Sequence, residues 1–226
     1  SGILEVRVER QELLTTRSSI DDHPTVTSAS IAWDWQPRSG WLARVDAAIL
    51  RAFDGNDGSS ANAFALAPLG SLAGFAFWIG PAFSFRDTDE SRFRLVHTQS
   101  VPLGGGEYRY VYSGEYAPYW TPQRLREMRL AAVVSGPLSG TLTAKVQIEG
   151  GWARDRAVGF GPETGSSVVP PPAFSFSYDR SYHPWSLAAS LVASLTAGLR
   201  LEIGYEHRVT IYYESDSLHA TLGGRF

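Results

Sequence analysis

With 226 residues, a net charge of −3, no cysteine and 12% aromatic residues, the chain has room for one sizeable domain and no basic excess with which to hold nucleic acid. The longest weakly polar run, 61–85, is broken by Pro68, Gly70, Gly74, Gly80 and Pro81, so no helix of the ~20 apolar residues that cross a bilayer is available. The dominant pattern is a period of two, the periodicity of strands.

In chain order the alternation predicts twelve strands, at roughly 3–14, 25–36, 41–53, 62–68, 73–87, 91–100, 107–114, 124–135, 140–153, 183–196, 199–209 and 212–226. The first sets Leu4, Val6 and Val8 against Glu5, Arg7 and Glu9. The second sets Ala29, Ile31, Trp33 and Trp35 against Ser30 and Asp34, and the third Val45, Ala47 and Ile49 against Arg44, Asp46 and Arg51. Phe75, Phe77, Ile79, Phe83 and Phe85 share a face of the fifth, and Tyr108, Tyr110 and Tyr112 a face of the seventh. The ninth is the clearest, with Leu142, Ala144, Val146, Ile148 and Trp152 opposite Thr143, Lys145, Gln147 and Glu149. Trp185, Leu187, Leu191 and Leu195 line one face of the tenth; Leu199, Leu201, Ile203 and Tyr205 in the eleventh face away from Arg200, Glu202 and Glu206.

The connections fall into two classes. Short turns at 37–40, 69–71, 103–106, 136–139 and 197–198 alternate with longer polar segments at 15–24, 54–61, 115–123 and 154–182, the exceptions on the long side being the short 88–90 and a connection near 210 that merges with its strands. Short turns on one side and long loops on the other are how outer-membrane barrels are built. The expectation is one all-β domain over 1–226, a transmembrane antiparallel up-and-down β-barrel of about 12 strands in a bacterial outer membrane, with both termini periplasmic. A soluble sandwich or lipocalin-like barrel would show the same alternation with the apolar face turned inward. Two features favour the membrane reading: both signs of charge on the polar faces, and Trp35, Trp41, Trp120, Trp152, Trp185 and Tyr205 near strand ends, where interfacial girdles lie. The last strand sets Leu218, Ala220, Leu222 and Phe226 on one face. An aromatic carboxy-terminus on a final strand resembles the assembly signal of outer-membrane barrels, which makes Leu218, Leu222 and Phe226 the expected signal and the barrel-assembly machinery an expected partner.

Arg7, Arg44, Asp46, Arg109, Arg129, Lys145, Glu149, Arg200 and Glu202 are the expected lumen-lining residues. Their mixed signs suit cross-strand ion pairs and a weakly selective polar interior. Phe160, Phe174, Phe176, Tyr178 and Tyr182 on the 154–182 loop are the expected gate. No metal, cofactor or catalytic residue is assigned. A barrel hydrolase is the alternative from another class; it needs Ser217, His219 and a carboxylate such as Glu202 or Glu206 in contact. A third possibility is a plugged structural barrel.

From Tyr116 to Phe226 the chain resembles the outer-membrane barrel of the exopolysaccharide export proteins that accompany cellulose synthase. The segment Tyr119-Trp120-Thr121-Pro122-Gln123-Arg124-Leu125 is similar to that family's aromatic-Tyr-Ser-Pro-Gln-x-Tyr motif, and Tyr212 to His219 to its Tyr-x-Pro-Ser-His ending. Thr121 stands where that family has serine and Asp216 where it has proline. The resemblance implies an outer-membrane conduit for a polysaccharide, set in lipid and lipopolysaccharide and served by a periplasmic scaffold.

Overall fold

The structure, a computed structural model, describes residues 2–12, 23–37, 39–195, 199–211 and 214–224. Among these there is no helix, and the elements are fourteen strands. They are β1 (Gly2–Glu12), β2 (Thr25–Trp35), β3 (Leu42–Ala52), β4 (Asp57–Leu72), β5 (Phe75–Thr88), β6 (Phe93–Gly104), β7 (Glu107–Tyr116), β8 (Gln123–Pro137), β9 (Leu142–Gly161), β10 (Thr164–Gly165), β11 (Phe174–Tyr182), β12 (Trp185–Ser194), β13 (Leu199–Val209) and β14 (Glu214–Gly224). All pairs are antiparallel, and the main sheet runs β1-β2-β3-β4-β5-β8-β9-β12-β13-β14, with β11 also on β9. No ladder among the described residues joins β1 to β14, so these are the two edges of the sheet.

Four expectations change. The predicted sixth and seventh strands, β6 and β7, leave the main sheet and with β10 form a second, three-stranded sheet. β5 pairs directly with β8, Arg86 opposite Leu125 and Ala76 opposite Ser135, so residues 89–122 are an insertion and the main path has ten strands where twelve were expected. Periodicity records which residues alternate but not which neighbour a hairpin takes, so the sequence could not separate the two sheets.

The predicted 154–182 loop is mostly strand. β9 runs on to Gly161 and β11 returns beside it, Tyr182 opposite Ala153 and Phe174 opposite Gly161. β12 continues in the same register, Trp185 opposite Gly150. β11 and β12 are one strand interrupted at His183-Pro184, where proline has no N–H for the ladder, although Gly151 N–H still donates to the Pro184 carbonyl at 3.2 Å. The real connection is 162–173, with β10 inside it. β4 is also longer than expected, reaching Leu72 through an irregularity between Pro68 and Gly70 before the tight turn at Ala73 and Gly74, both at positive φ.

The faces of the main sheet follow the predicted alternation. One carries Val45, Ile49, Met128, Leu130, Ile148, Ile203 and Leu218, and this face is exposed: Met128 is 63%, Leu130 57% and Ile148 53% accessible. The opposite face carries the charges, and there the Arg129 and Glu149 side chains are only 15% and 14% exposed. The sheet curves around its charged face, so that Asn62 of β4 and Arg208 of β13 line one cavity.

Aromatic rings cover glycines on neighbouring strands. A Cβ at Gly159 would meet the Phe176 ring at 2.8 Å, one at Gly161 the Phe174 ring at 2.9 Å, and one at Gly136 the Phe75 ring at 2.7 Å. The ring supplies the packing that the missing side chain cannot.

Candidate functional site

The concave face is organised in layers along the strands. Nearest the short turns, Leu66, Ala131 and Val133 are buried and Leu42, Phe64 and Trp78 pack against them. The Trp78 indole N–H donates to the Gly40 carbonyl at 3.0 Å, fixing the ring across the β2–β3 turn. This apolar layer lies on the same face as the charges, which alternation alone does not announce.

Above it runs a polar belt. Arg44 donates to Asp34 at 2.7 Å and lies 3.5 Å from Asp46. Asn62 donates to Asp46 at 2.8 Å, and Ser84 to Asn62 at 2.8 Å. Ser84 stands opposite Glu127 in the register. Arg129 lies 3.7 Å from Glu127 and 2.7 Å from Glu149. The belt therefore crosses β2, β3, β4, β5, β8 and β9, and opposite charges alternate along it so that each guanidinium sits between carboxylates. At this degree of burial such pairing offsets the cost of leaving water.

Of the expected lining residues, Arg44, Asp46, Arg129 and Glu149 are in this belt. Arg7 lies on the same face at the β1 edge, 2.6 Å from Glu5. Lys145 is exposed on that face opposite Ser190 and Ser135. Arg200 and Glu202 lie on it in β13, opposite Ser194 and Val192. Arg109 does not: it is on β7, opposite Val101 and Thr164 in the second sheet. Asn62, Ser84 and Trp78 were not foreseen as site residues; the faces of Ser84 and Trp78 in β5 followed from the pattern, whereas the face of Asn62 in β4 and the hydrogen bonds of all three depended on register.

Beyond the belt a cavity of about 150 Å³ opens among Arg86, Trp120, Glu127, Tyr182, Arg208 and Thr210. Trp120 was expected in an interfacial girdle. It packs instead inside the fold, against Leu125, Ala153 and Tyr182, with the Arg86 guanidinium over its ring at 5.4 Å. The turn that carries it is pinned. Tyr119 Oη donates to Asp54 at 2.8 Å, and Arg92 donates to the same carboxylate at 2.9 Å. The Thr121 hydroxyl accepts from Arg92 N–H at 2.7 Å, while Asn56 and Glu90 exchange two bonds of 3.0 Å. Burial works to raise the Asp54 carboxyl, but the bonds from Tyr119 and the Asn56 N–H together with the Arg92 charge outweigh it and hold it below the ordinary carboxylate value.

The expected gate residues are built into strands. Phe160 is the penultimate residue of β9 and stacks on Phe93 at 5.9 Å. Phe174, Phe176 and Tyr178 form a row on β11 with ring spacings of 6.3 and 6.0 Å. Tyr182 is buried in the Trp120 cluster. Tyr110 and Tyr112 donate to the Ser167 and Pro162 carbonyls at 2.8 and 2.7 Å, tying the 162–173 connection to β7. Burial, with the Asp155 charge adding to it, pushes the Tyr116 hydroxyl up to about 12.

Leu218 and Leu222 lie on the apolar face of β14, 78% and 64% exposed; Phe226 lies outside the described residues. Ser217 and His219 sit on the concave face opposite Glu206 and Gly204, with the imidazole lying over Gly204. No group of three or more His, Cys, Asp or Glu side chains among the described residues is arranged to hold a metal. No known protein family, curated protein or solved structure matches the chain.

Proposed function

We propose that the chain forms a transmembrane barrel in a bacterial outer membrane, closed by pairing β14 with β1, and that its polar interior is a conduit shut at rest. The observation that supports this most strongly is the inversion of the two faces: Ile148 and Met128 lie open while Arg129 and Glu149 are enclosed. Water penalises that arrangement and lipid rewards it. The dimensions agree. Leu142 to Trp152 on the outward face of β9 spans roughly 33 Å at about 3.3 Å per residue. At a tilt of about 40° that is close to the ~25 Å apolar band of such barrels. Closure satisfies the backbone edges of β1 and β14, which lipid cannot. Both edge strands run to or from the short-turn end, so they meet antiparallel.

In this reading the belt from Asp34 to Glu149 is the wet wall, and two shutters close it, the Trp78 layer below and Trp120 above. The solute is polar and hydroxyl-rich, as the likeness to exopolysaccharide export proteins implies. A second reading, a side-chain-filled anchor, is favoured by the same apolar layer and by the strand count. Eight strands make an interior just wide enough for side chains to fill, whereas aqueous pores have 16–18. Planar-bilayer conductance of the full chain decides. Rare openings that become steady in Trp120→Ala or Trp78→Ala, and that neutral oligosaccharides block, support the conduit. Silence in both variants, with the barrel folded, replaces it with the anchor.

A further inference from the structure

The outward face changes character along one line near the long-loop end. On β9 it runs Val146, Ile148, Gly150 and Trp152, then Arg154 and Arg156, while Ala153, Asp155 and Ala157 between them are buried. On β8, followed the other way, it runs Val134, Ala132, Leu130 and Met128, then Arg126 and Arg124, both exposed. The register sets Arg126 directly opposite Arg154, with Arg156 opposite Gln123. Four guanidinium-bearing side chains thus border one open apolar strip.

Few carboxylates answer them. Asp179 accepts from Arg154 at 2.5 Å. Asp87 accepts from the Arg124 backbone N–H, not from its guanidinium. Asp155 is buried beneath and is held by Arg180 at 3.0 Å. Counting Asp87 and Asp179 against the four arginines leaves an excess of two positive charges. Like charges directly opposite on adjacent strands weaken a sheet; an anion placed between Arg126 and Arg154 reverses the sign of that interaction. A cavity of about 150 Å³ lies there, bordered by Arg124, Arg126, Arg154, Asp155 and Asp179.

The geometry points to a binding site for the phosphate-bearing headgroup of a membrane lipid at Arg124, Arg126, Arg154 and Arg156, with the acyl chains lying along Met128, Leu130, Ile148 and Trp152. Guanidinium forks match phosphate oxygens two at a time, and basic side chains at a membrane surface attract anionic lipid. The adjoining apolar strip favours a lipid over a free anion, because a soluble phosphate has no use for it. The site rests on the transmembrane reading above. With the short turns periplasmic, it faces the outer leaflet, whose phosphorylated lipid is a bisphosphorylated glucosamine glycolipid.

The experiment takes the full chain in neutral phosphatidylcholine nanodiscs. Bisphosphorylated lipid A, the dephosphorylated glycolipid and inorganic phosphate are each titrated in, and bound lipid is counted by native mass spectrometry. Phosphorylated lipid is expected to be retained in preference to the other two. The triple variant Arg126→Gln, Arg154→Gln, Arg156→Gln loses affinity by roughly fivefold per arginine, on the order of a hundredfold in all. The corresponding triple lysine variant stays within about tenfold of the parent, which separates lost charge from lost fold. Arg94→Gln with Arg109→Gln, in the second sheet, is expected to change nothing. Equal retention of the dephosphorylated glycolipid, equal retention of inorganic phosphate, or unchanged affinity in a folded triple glutamine variant overturns the site. Failure of the parent to insert into neutral bilayers is a separate result, which overturns the transmembrane reading and the site with it.

Discussion

Ile148→Arg tests the inversion of the faces at its centre. Ile148 is 53% exposed, midway along the outward stretch from Leu142 to Trp152, opposite Ala132 on one side and Leu187 on the other. If that face meets water, the substitution touches no partner and changes stability by no more than about 0.5 kcal/mol. If it meets lipid, arginine at mid-depth costs about 2–4 kcal/mol, a shift of roughly 30- to 700-fold in the folding equilibrium at about 1.4 kcal/mol per decade. The same change at Trp152, beside the arginine border, costs at most about 1 kcal/mol of charge burial because depth is small there. Guanidinium unfolding of the refolded chain from phosphatidylcholine vesicles, followed by tryptophan fluorescence, reads both. A mid-strand penalty near zero, or equal penalties at the two depths, refutes the lipid-facing assignment.

Glu149→Gln leaves Arg129 with Glu127 at 3.7 Å as its remaining carboxylate and is expected to destabilise by roughly 3 kcal/mol; the pair Arg129→Met with Glu149→Leu recovers most of that in the same unfolding assay. Gly80→Ala is expected to cost more than Gly159→Ala, because the new Cβ at Gly80 would overlap the Ala65 backbone whereas at Gly159 it meets the outer edge of the Phe176 ring; chemical denaturation of the two variants ranks them. The Asp54 carboxyl has a folded pKa below its ordinary value of 3.8. Its contribution to pinning the insertion is therefore complete above that value and disappears as pH falls through the lower folded one. Protease nicking within 89–122 should rise only below about pH 4, and Asp54→Asn should show the same nicking at neutral pH.

Which residues share a face was legible in the sequence. Glu5, Arg7, Asp34, Arg44, Glu127, Lys145, Glu149 and Glu202 fall on the charged face because a strand allows only two directions. What stayed hidden depended on partners distant in the chain. The bond from Asn62 to Asp46 requires the β3–β4 register, and the second sheet requires knowing that β5 chooses β8 over β6. Trp120 shows a different limit. Tryptophan near a strand end fits a membrane girdle and an interior packing role equally well, and only the Leu125–Tyr182 cluster distinguishes them. The stretch 154–182 read as loop because its glycines and prolines are turn formers. On β9, however, Gly159 and Gly161 are covered by rings from β11, a compensation that lies across the hairpin and is silent along it.

The direct pairing of β5 with β8 makes the insertion an interchangeable cassette. Thr88 and Gln123 end neighbouring strands about 5 Å apart, so a tight turn could join them without altering one ladder of the wall. In the barrel proposed above, the wall and its upper shutter are thus encoded in separable stretches of chain: the strands would set how wide the interior is, and 89–122 would set whether its outer mouth is covered. A lineage could exchange the second while keeping the first, changing what covers the charged face without having to solve the folding of the sheet again.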